Sequence, residues 1–181
     1  EGTHPLSSSA NIAASKRMKK ELEALQKEDF VLFLISGGGS ALLCLPEDGK
    51  NFKDEVAIQQ ALSEQGATIE ELNTVRKHLS LARGGYLAQY AYPARAVSLI
   101  FSDVPGNELE FIASGPTVKD DTTVADAERV MEKYSVLQHS RLEAVRFLET
   151  PKGDKYFAGL DNILLISNQR ALQAMAAKAD D

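Results

Sequence analysis

The chain has 181 residues, and 44% of them are hydrophobic, which is enough for one α/β domain with a substantial core. Its net charge of −6 argues against a general nucleic-acid binder, which normally carries a basic excess. A single cysteine, Cys44, excludes an internal disulfide framework and a cysteine zinc cluster. We therefore expect a protein of the reducing cytoplasm, with Cys44 packed in its core. No apolar stretch approaches the roughly 20 residues of a membrane span, so we expect no membrane partner.

The first apolar strand and the turn after it carry the strongest local signal. Helical spacing of apolar residues predicts a helix over residues 14–25. Residues 30–36 form a continuous apolar run, which predicts a strand of a parallel sheet that is buried on both faces. This run leads into Ser36, Gly37, Gly38, Gly39 and Ser40, which we call the glycine turn. Three glycines allow several backbone N–H groups to face one anion, and the alternative is a turn that only permits close packing.

Two well-known nucleotide-binding motifs do not fit the glycine turn. A dinucleotide fingerprint needs a third glycine at position 42, which is Leu42, and a P-loop needs a Gly-Lys-Ser/Thr ending that is missing here. What remains is a strand, a turn of small residues and a helix start. That combination favours a phosphate or a carboxylate ligand.

A basic cluster follows in the next helical stretch. One helix, carrying Ile58 and Leu62, is expected to stop at Gly66, and a capping box of Thr68 and Glu71 starts the next helix. Shared faces of that helix carry Asn73, Arg76, Lys77, Ser80 and Arg83. Such a cluster suits a polyphosphate or a carboxylate, and the alternative is a solvated basic face. A lone histidine such as His78 is more typical of a structural hydrogen-bonding residue than of a base.

The second apolar run, residues 97–102, ends in Ser102 and leads into Asp103. A carboxylate at the mouth of a buried strand can hold Mg²⁺ or accept a hydroxyl proton, or it can simply support the turn that follows. The constrained loop beyond it contains Ser114, Gly115, Pro116 and Thr117, and it offers a second phosphate or sugar contact.

The last third of the chain completes an alternating pattern. Thr122 or Thr123 is expected to cap a helix, and residues 142–148 are expected to form another helix that ends before Pro151. A third apolar run, residues 162–167, is followed by Asn168. Strands alternating with helices predict an α/β fold with a mainly parallel sheet and helices on both faces. Because ligands bind beyond the carboxyl ends of such strands, the three polar strand ends are expected to share one crevice.

The ordered motifs together resemble the two-domain glycerate 2-kinases with a C-terminal MOFRL domain. The matching residues are His4-Pro5, Ser36-Gly-Gly-Gly-Ser40, Asn73-Thr-Val-Arg-Lys-His-Leu-Ser80, Gly84-Gly85, Ser102-Asp-Val, Ile112-Ala-Ser-Gly-Pro-Thr117 and Ser167-Asn168. The resemblance implies a three-layer Rossmann-like domain over residues 1–181, incomplete because an upstream segment and the MOFRL domain are absent. It also implies ATP-dependent phosphorylation of D-glycerate, with Mg²⁺, to 2-phosphoglycerate, and poor turnover by the chain alone. Two departures are Asn107, where the family has aspartate, and Arg83, where lysine is commoner.

The resemblance assigns roles to the singled-out residues. The glycine turn binds the glycerate carboxylate or a phosphate, Arg76 and Lys77 offset negative charge, and Asp103 binds Mg²⁺ or orients the attacking hydroxyl. The remaining candidates for substrate or phosphate contacts are Asn73, His78, Ser102, Ser114, Gly115, Thr117 and Asn168.

Two rival functions and the assembly state stay open. Some relatives carry the name hydroxypyruvate reductase, which implies an NAD(P)-dependent reaction on a related three-carbon acid, but the dinucleotide fingerprint fails. A non-catalytic domain that only captures an anion is the second rival. Expected partners are the small acid and the nucleotide, with a homodimer as one alternative for the assembly.

Overall fold

The computed structural model describes residues 2–4, 6–47 and 52–179. The helices and strands follow in the order α1 (Ser9–Glu23), β1 (Phe30–Ile35), α2 (Gly39–Leu42), α3 (Phe52–Glu64), α4 (Ile69–Lys77), α5 (Tyr86–Ala91), β2 (Arg95–Phe101), α6 (Val124–Lys133), α7 (Val136–Ser140), β3 (Leu160–Ile166) and α8 (Asn168–Ala179). Single 3₁₀ turns lie at Pro105–Asn107, Ile112–Ser114 and Asp154–Tyr156. Within these ranges, no helix has the length and apolar character needed to cross a membrane.

The sheet has three parallel strands in the order β1-β2-β3. The prediction of an α/β fold with a mainly parallel sheet is therefore confirmed. Each strand ends just before the serine that closes its apolar run, so the polar residues that follow lie at the same edge of the sheet.

The first hydrophobic core lies on one face of the sheet. Phe33 and Ile35 of β1 and Ile100 of β2 pack against α1, α5 and the turn at Ile112–Ser114. The alternate residues of β1 point to the other face, where Leu32 is 53% and Leu34 70% exposed. The prediction that the first strand is buried on both faces is therefore wrong, because these packing elements all contact the Phe33 side.

A second core joins four helices beside the sheet. Ile58 and Leu62 of α3, Val75 of α4, Met131 of α6 and Val136 of α7 are buried together. This cluster holds α4, which carries the basic residues, in a fixed position relative to the rest of the fold.

Both capping boxes are present. Thr68 accepts a hydrogen bond from the Glu71 N–H, and Thr123, rather than Thr122, does the same for Asp126 at the start of α6. Each side chain at the third helical position in turn accepts from the N–H of its cap, so both helix starts are satisfied locally.

The predicted helix over residues 142–148 is wrong. After the short α7, Arg141 adopts a left-handed conformation that ends the helix, and the chain runs on without regular structure to position 150. Leu142 and Val145 still pack against the second core. The main chain of Leu148 pairs with His78, whose carbonyl accepts its N–H at 2.9 Å. Tertiary contacts therefore use the apolar residues without a helix.

Cys44 has the packing role that was predicted. Its side chain is fully buried, and burial, followed by the nearby Glu55 carboxylate, raises the pKa of the thiol to about 12. The thiol therefore stays protonated at neutral pH.

Candidate functional site

The glycine turn brings a carboxylate against the end of β1. A Cβ atom at Gly37 would overlap the side chain of Asp103, which follows β2. At Gly39, a Cβ would lie only 2.5 Å from the Cβ of Ala113. Gly38 has a φ of +76°, and the His4 imidazole lies beside it. The sequence of three glycines therefore lets two other segments approach the turn closely.

The backbone amides of this turn have no acceptor in the part of the chain that the structure describes. Within the described ranges, no acceptor takes the N–H of Gly37, Gly38, Gly39 or Ser40. The Ser36 side chain is exposed, and its hydroxyl reaches only the neighbouring Gly37 carbonyl, at 3.5 Å. Free N–H groups at a strand end can receive an anion.

Three of the predicted polar residues meet in one hydrogen-bonded group. The Ser114 hydroxyl donates to Asn73 Oδ1 at 2.7 Å, and it lies 3.0 Å from the Ser40 hydroxyl. Ala113 and Ser114 are both buried and have φ values of +53° and +59°, which non-glycine residues rarely adopt. The surrounding hydrogen bonds hold this strained loop against the glycine turn, as is common at functional sites.

Arg76 lies in this region as a poorly solvated cation. The buried Nε–H of its guanidinium has no hydrogen-bond partner among the residues that the structure describes. Burial, together with the neighbouring Arg83 guanidinium, lowers the pKa of Arg76 below its usual value. A cation in this environment would be stabilised by a bound anion.

Lys77 points into the protein interior instead. Its ammonium group lies 2.6 Å from Asp120 Oδ1 and 3.4 Å from Glu110 Oε2, and its side chain is 2% exposed. Burial alone would raise the pKa of Asp120, but the hydrogen bond and the charge of Lys77 outweigh it and hold that pKa below its usual value. The positive charge of Lys77 is therefore already neutralised within the fold.

His78 is also engaged by protein atoms. Its Nδ1 donates to the Leu148 carbonyl at 2.7 Å, and its Nε2 lies 3.2 Å from the Thr122 hydroxyl. The ring is fully buried. This arrangement agrees with the structural role expected of a lone histidine at this point of the sequence.

The other predicted contact residues lie apart from the glycine turn or bond within their own loops. The Ser102 hydroxyl pairs with the main chain of Val104, and the Thr117 hydroxyl donates to Asn162 Oδ1 of β3 at 2.8 Å. Gly115 has a φ of +58° and continues the strained loop. Asn168 begins α8, and its side chain lies outside the described part of the structure.

Asp103 is an exposed carboxylate without a cluster of similar groups around it. In the described portion of the chain, no three His, Cys, Asp or Glu side chains are placed to hold a metal ion together. An oxygen-seeking cation at Asp103 would therefore need ligands from a bound substrate.

The sequence prediction missed three residues that organise this region. Glu55 pairs with Arg83 in the interior at 2.6 Å, Asp120 binds the Lys77 ammonium group, and His4, which was noted only within a motif, lies beside Gly38. Arg83 stood out in the sequence as part of the basic cluster, which suggested that it would need an acidic partner. Nothing near Glu55 in the sequence indicates that this glutamate on α3 is that partner.

Comparison with known proteins identifies the family. Residues 1–149 match the model of the domain of unknown function DUF4147. The chain belongs to the DUF4147 family. This DUF4147 chain is 42% identical over 152 residues to the D-glycerate 2-kinase of Thermotoga maritima, covering 84% of the chain and 36% of that relative. It is 41% identical over 188 residues to the glycerate 2-kinase of Pyrococcus horikoshii, covering 99% of the chain and 42% of the relative.

Other relatives add a second name and a solved fold. A protein of Agrobacterium vitis named as a hydroxypyruvate reductase is 43% identical over 183 residues, which span 100% of the chain and 41% of that protein. A crystal structure of the Thermotoga maritima glycerate kinase superposes with a TM-score of 0.83 at 36% identity, covering 99% of the chain and 43% of that structure. The DUF4147 chain thus spans less than half the length of these relatives.

Proposed function

We propose that this chain forms one wall of the active site of a glycerate 2-kinase, which transfers a phosphoryl group from ATP to the 2-hydroxyl of D-glycerate and gives 2-phosphoglycerate. The observation that carries the proposal is that the segment of the poorly solvated Arg76 is tied to the glycine turn, because Arg83 donates to the main-chain carbonyls of both Arg76 and Ser40. The Asp103 carboxylate lies against the same turn at Gly37. The names of the relatives supply the substrate and the type of reaction, a kinase reaction, and ATP as the phosphoryl donor is part of the proposal.

Phosphoryl transfer needs positioning and charge neutralisation more than covalent chemistry. In the proposed site, Arg76 and the amides of Gly37, Gly38 and Gly39 bind either the glycerate carboxylate or a phosphate. Asp103 accepts the proton of the attacking hydroxyl or orients that hydroxyl. The bonded group of Ser40, Asn73 and Ser114 keeps the turn in shape.

Asp103 also fits a role toward Mg²⁺. This ion is usually held by one or two carboxylates together with substrate phosphates, and Asp103 supplies one exposed carboxylate at the glycine turn. When bound, Mg²⁺ would neutralise charge on the phosphate oxygens. Proton acceptance and metal binding are alternative roles for this one side chain.

Lys77 and His78 enter the proposal as positioning residues. Both are buried at the end of α4 and pair with Asp120, Leu148 or Thr122, so they keep the Arg76 segment in place without contacting a ligand. In the same way, Thr117 joins the strained loop to β3.

Replacement of Asp103 tests the proposal. We expect Asp103→Asn to reduce kcat for MgATP and D-glycerate more than tenfold, which corresponds to about 1.4 kcal/mol or more in the barrier. The control is Asp121→Asn, an exposed aspartate on another loop, which should leave kcat within about twofold. A coupled assay of ADP release on the full-length protein that contains this chain, and on its variants, gives both numbers, and an unchanged kcat in Asp103→Asn would remove Asp103 from the mechanism.

Two further measurements separate the rival functions. NADH oxidation with hydroxypyruvate would support a reductase, against which stands Leu42 at the third position of the dinucleotide fingerprint. Calorimetric binding of D-glycerate or MgATP without ADP release would indicate a domain that only captures an anion. A full-length protein that neither binds nor turns over these compounds would contradict the proposed function.

A further inference from the structure

Arg83 holds two parts of the candidate site at once. Its guanidinium is fully buried, and Nη2 donates to the Ser40 carbonyl at 2.6 Å. Nη1 donates to Glu55 Oε1 at 2.6 Å and to the Arg76 carbonyl at 3.2 Å. One planar group therefore connects α3, the end of α4 and the residue that follows the three glycines.

This arrangement sets the distance between the glycine turn and Arg76. Because one buried cationic side chain donates to both carbonyls, the positions of the two carbonyls are coupled. Glu55 neutralises Arg83 and is itself held by Gln59, whose amide donates to Oε1 at 2.7 Å. Among the described residues, the carboxylate that acts on Arg76 is that of Glu55, and it is already paired with Arg83 at 2.6 Å, so a ligand can still take up the charge of Arg76.

We propose that Arg83 is a positioning residue for ligand binding, which keeps the glycine turn and Arg76 in the arrangement in which both bind the same anion. The Glu55 carboxylate neutralises the charge of Arg83. This inference rests on the proposed function, since it assigns the anion to that site. Arg83 itself contacts no ligand, because all of its side chain is enclosed by protein.

The test uses variants that separate positioning from folding. Glu55→Gln with Arg83→Met removes both buried charges together, so no unpaired charge is left in the core. Arg83→Lys keeps a cationic donor, and Arg129→Lys changes an arginine of a surface ion pair on α6 as the control. Thermal unfolding reports folding, and calorimetry with D-glycerate and with MgATP reports affinity. Hydrogen exchange of the Leu43 N–H, which donates to the Gly39 carbonyl at 2.8 Å, reports order in the turn without any ligand.

We expect the double variant to fold, to exchange the Leu43 amide hydrogen at least tenfold faster than wild type and to bind D-glycerate and MgATP about tenfold more weakly. In Arg83→Lys, we expect the exchange rate and the affinity to lie within about threefold of wild type. The inference would be overturned if the double variant kept the exchange rate and the ligand affinity of wild type. It would also be overturned if Arg83→Lys folded but lost as much exchange protection and affinity as the double variant. If the double variant does not fold, Glu55→Gln alone decides. It should lower the melting temperature with little change in affinity, and a parallel loss of both would contradict positioning.

The two proposals can fail separately. A wild-type full-length protein that binds neither D-glycerate nor MgATP contradicts the proposed function. The exchange rate of the Leu43 amide in the variants still shows whether Arg83 orders the glycine turn.

Discussion

Gly39 and Ala113 illustrate how single residues shape the candidate site. Gly39 has no positive φ, so its lack of a side chain is required by space alone. Ala113 is buried and held in a left-handed conformation, so its Cβ cannot move aside as the end of a flexible side chain could. The contact between these residues joins the glycine turn to the strained loop.

A methyl group at position 39 should therefore destabilise the fold. We expect Gly39→Ala to lower the free energy of unfolding by about 1–3 kcal/mol, the usual cost of overpacking a close contact. Gly159→Ala is the matched control, because a Cβ there meets no atom within 4 Å, and its effect should stay within about 0.5 kcal/mol. Urea unfolding measures both, and equal effects would show that the close approach to Ala113 costs nothing.

At the scale of elements, β1 shows how packing departs from an apolar sequence. Its six residues are all hydrophobic, yet alternate side chains differ sharply in exposure, from 8% at Ile35 to 70% at Leu34. A strand places neighbouring side chains on opposite faces, and helices α1 and α5 pack on only one of them. Equal hydrophobicity therefore does not mean equal contribution to stability.

Truncation of neighbouring residues in β1 should reveal this difference. We expect Ile35→Ala to cost about 2–5 kcal/mol, because it leaves a cavity in the first core, and Leu34→Ala to cost less than about 1 kcal/mol. The measurement is the urea midpoint of each variant at an unchanged m-value. A Leu34→Ala variant as unstable as Ile35→Ala would mean that the second face of the sheet is covered in solution.

At the scale of the whole molecule, Asp120 connects distant segments of the chain. Its carboxylate receives hydrogen bonds from Lys77 on α4 and from Thr150, 30 residues further along the chain. The neighbouring Lys152 donates to the Asp120 and Thr122 carbonyls at 2.7 and 2.5 Å. This buried polar group fastens the irregular segment after α7 to the end of the basic helix.

Loss of the Asp120 charge should destabilise the whole fold in a pH-dependent way. Asp120→Asn removes the nearer and more deeply buried counter-ion of Lys77 and leaves only the partly exposed Glu110 carboxylate at 3.4 Å, at a cost of up to about 3–5 kcal/mol at pH 7. Because the folded pKa of Asp120 lies below its usual value, the stabilisation is fully present above the unfolded pKa near 4 and is lost as the pH falls through the folded pKa. The melting temperatures of wild type and Asp120→Asn should therefore converge in acid, whereas the exposed Asp121→Asn control should follow wild type throughout. A constant difference across the pH range would disprove this role.

Much of the fold and part of the site follow from local sequence alone. The three strands, both capping boxes and the alternation of strand and helix depend on hydrophobic period and on side chains within four residues, which a sequence displays directly. The glycine turn, Asp103, Asn73, Arg76 and Ser114 were all identified as candidates from such patterns. Their tertiary placement at one edge of the sheet agrees with the parallel topology.

Only the tertiary structure decided which charges are used internally and which stay open to a ligand. Arg76 and Lys77 are neighbouring cations in the sequence. Asp120, 43 positions after Lys77, neutralises the lysine, whereas none of the described residues accepts a hydrogen bond from the buried Nε of Arg76. The pairing of Arg83 with Glu55 and the exposure of one face of β1 were likewise visible only in the tertiary structure. Partners far apart in the chain set these outcomes, because electrostatic pairing and burial depend on distance in space, which local patterns do not contain.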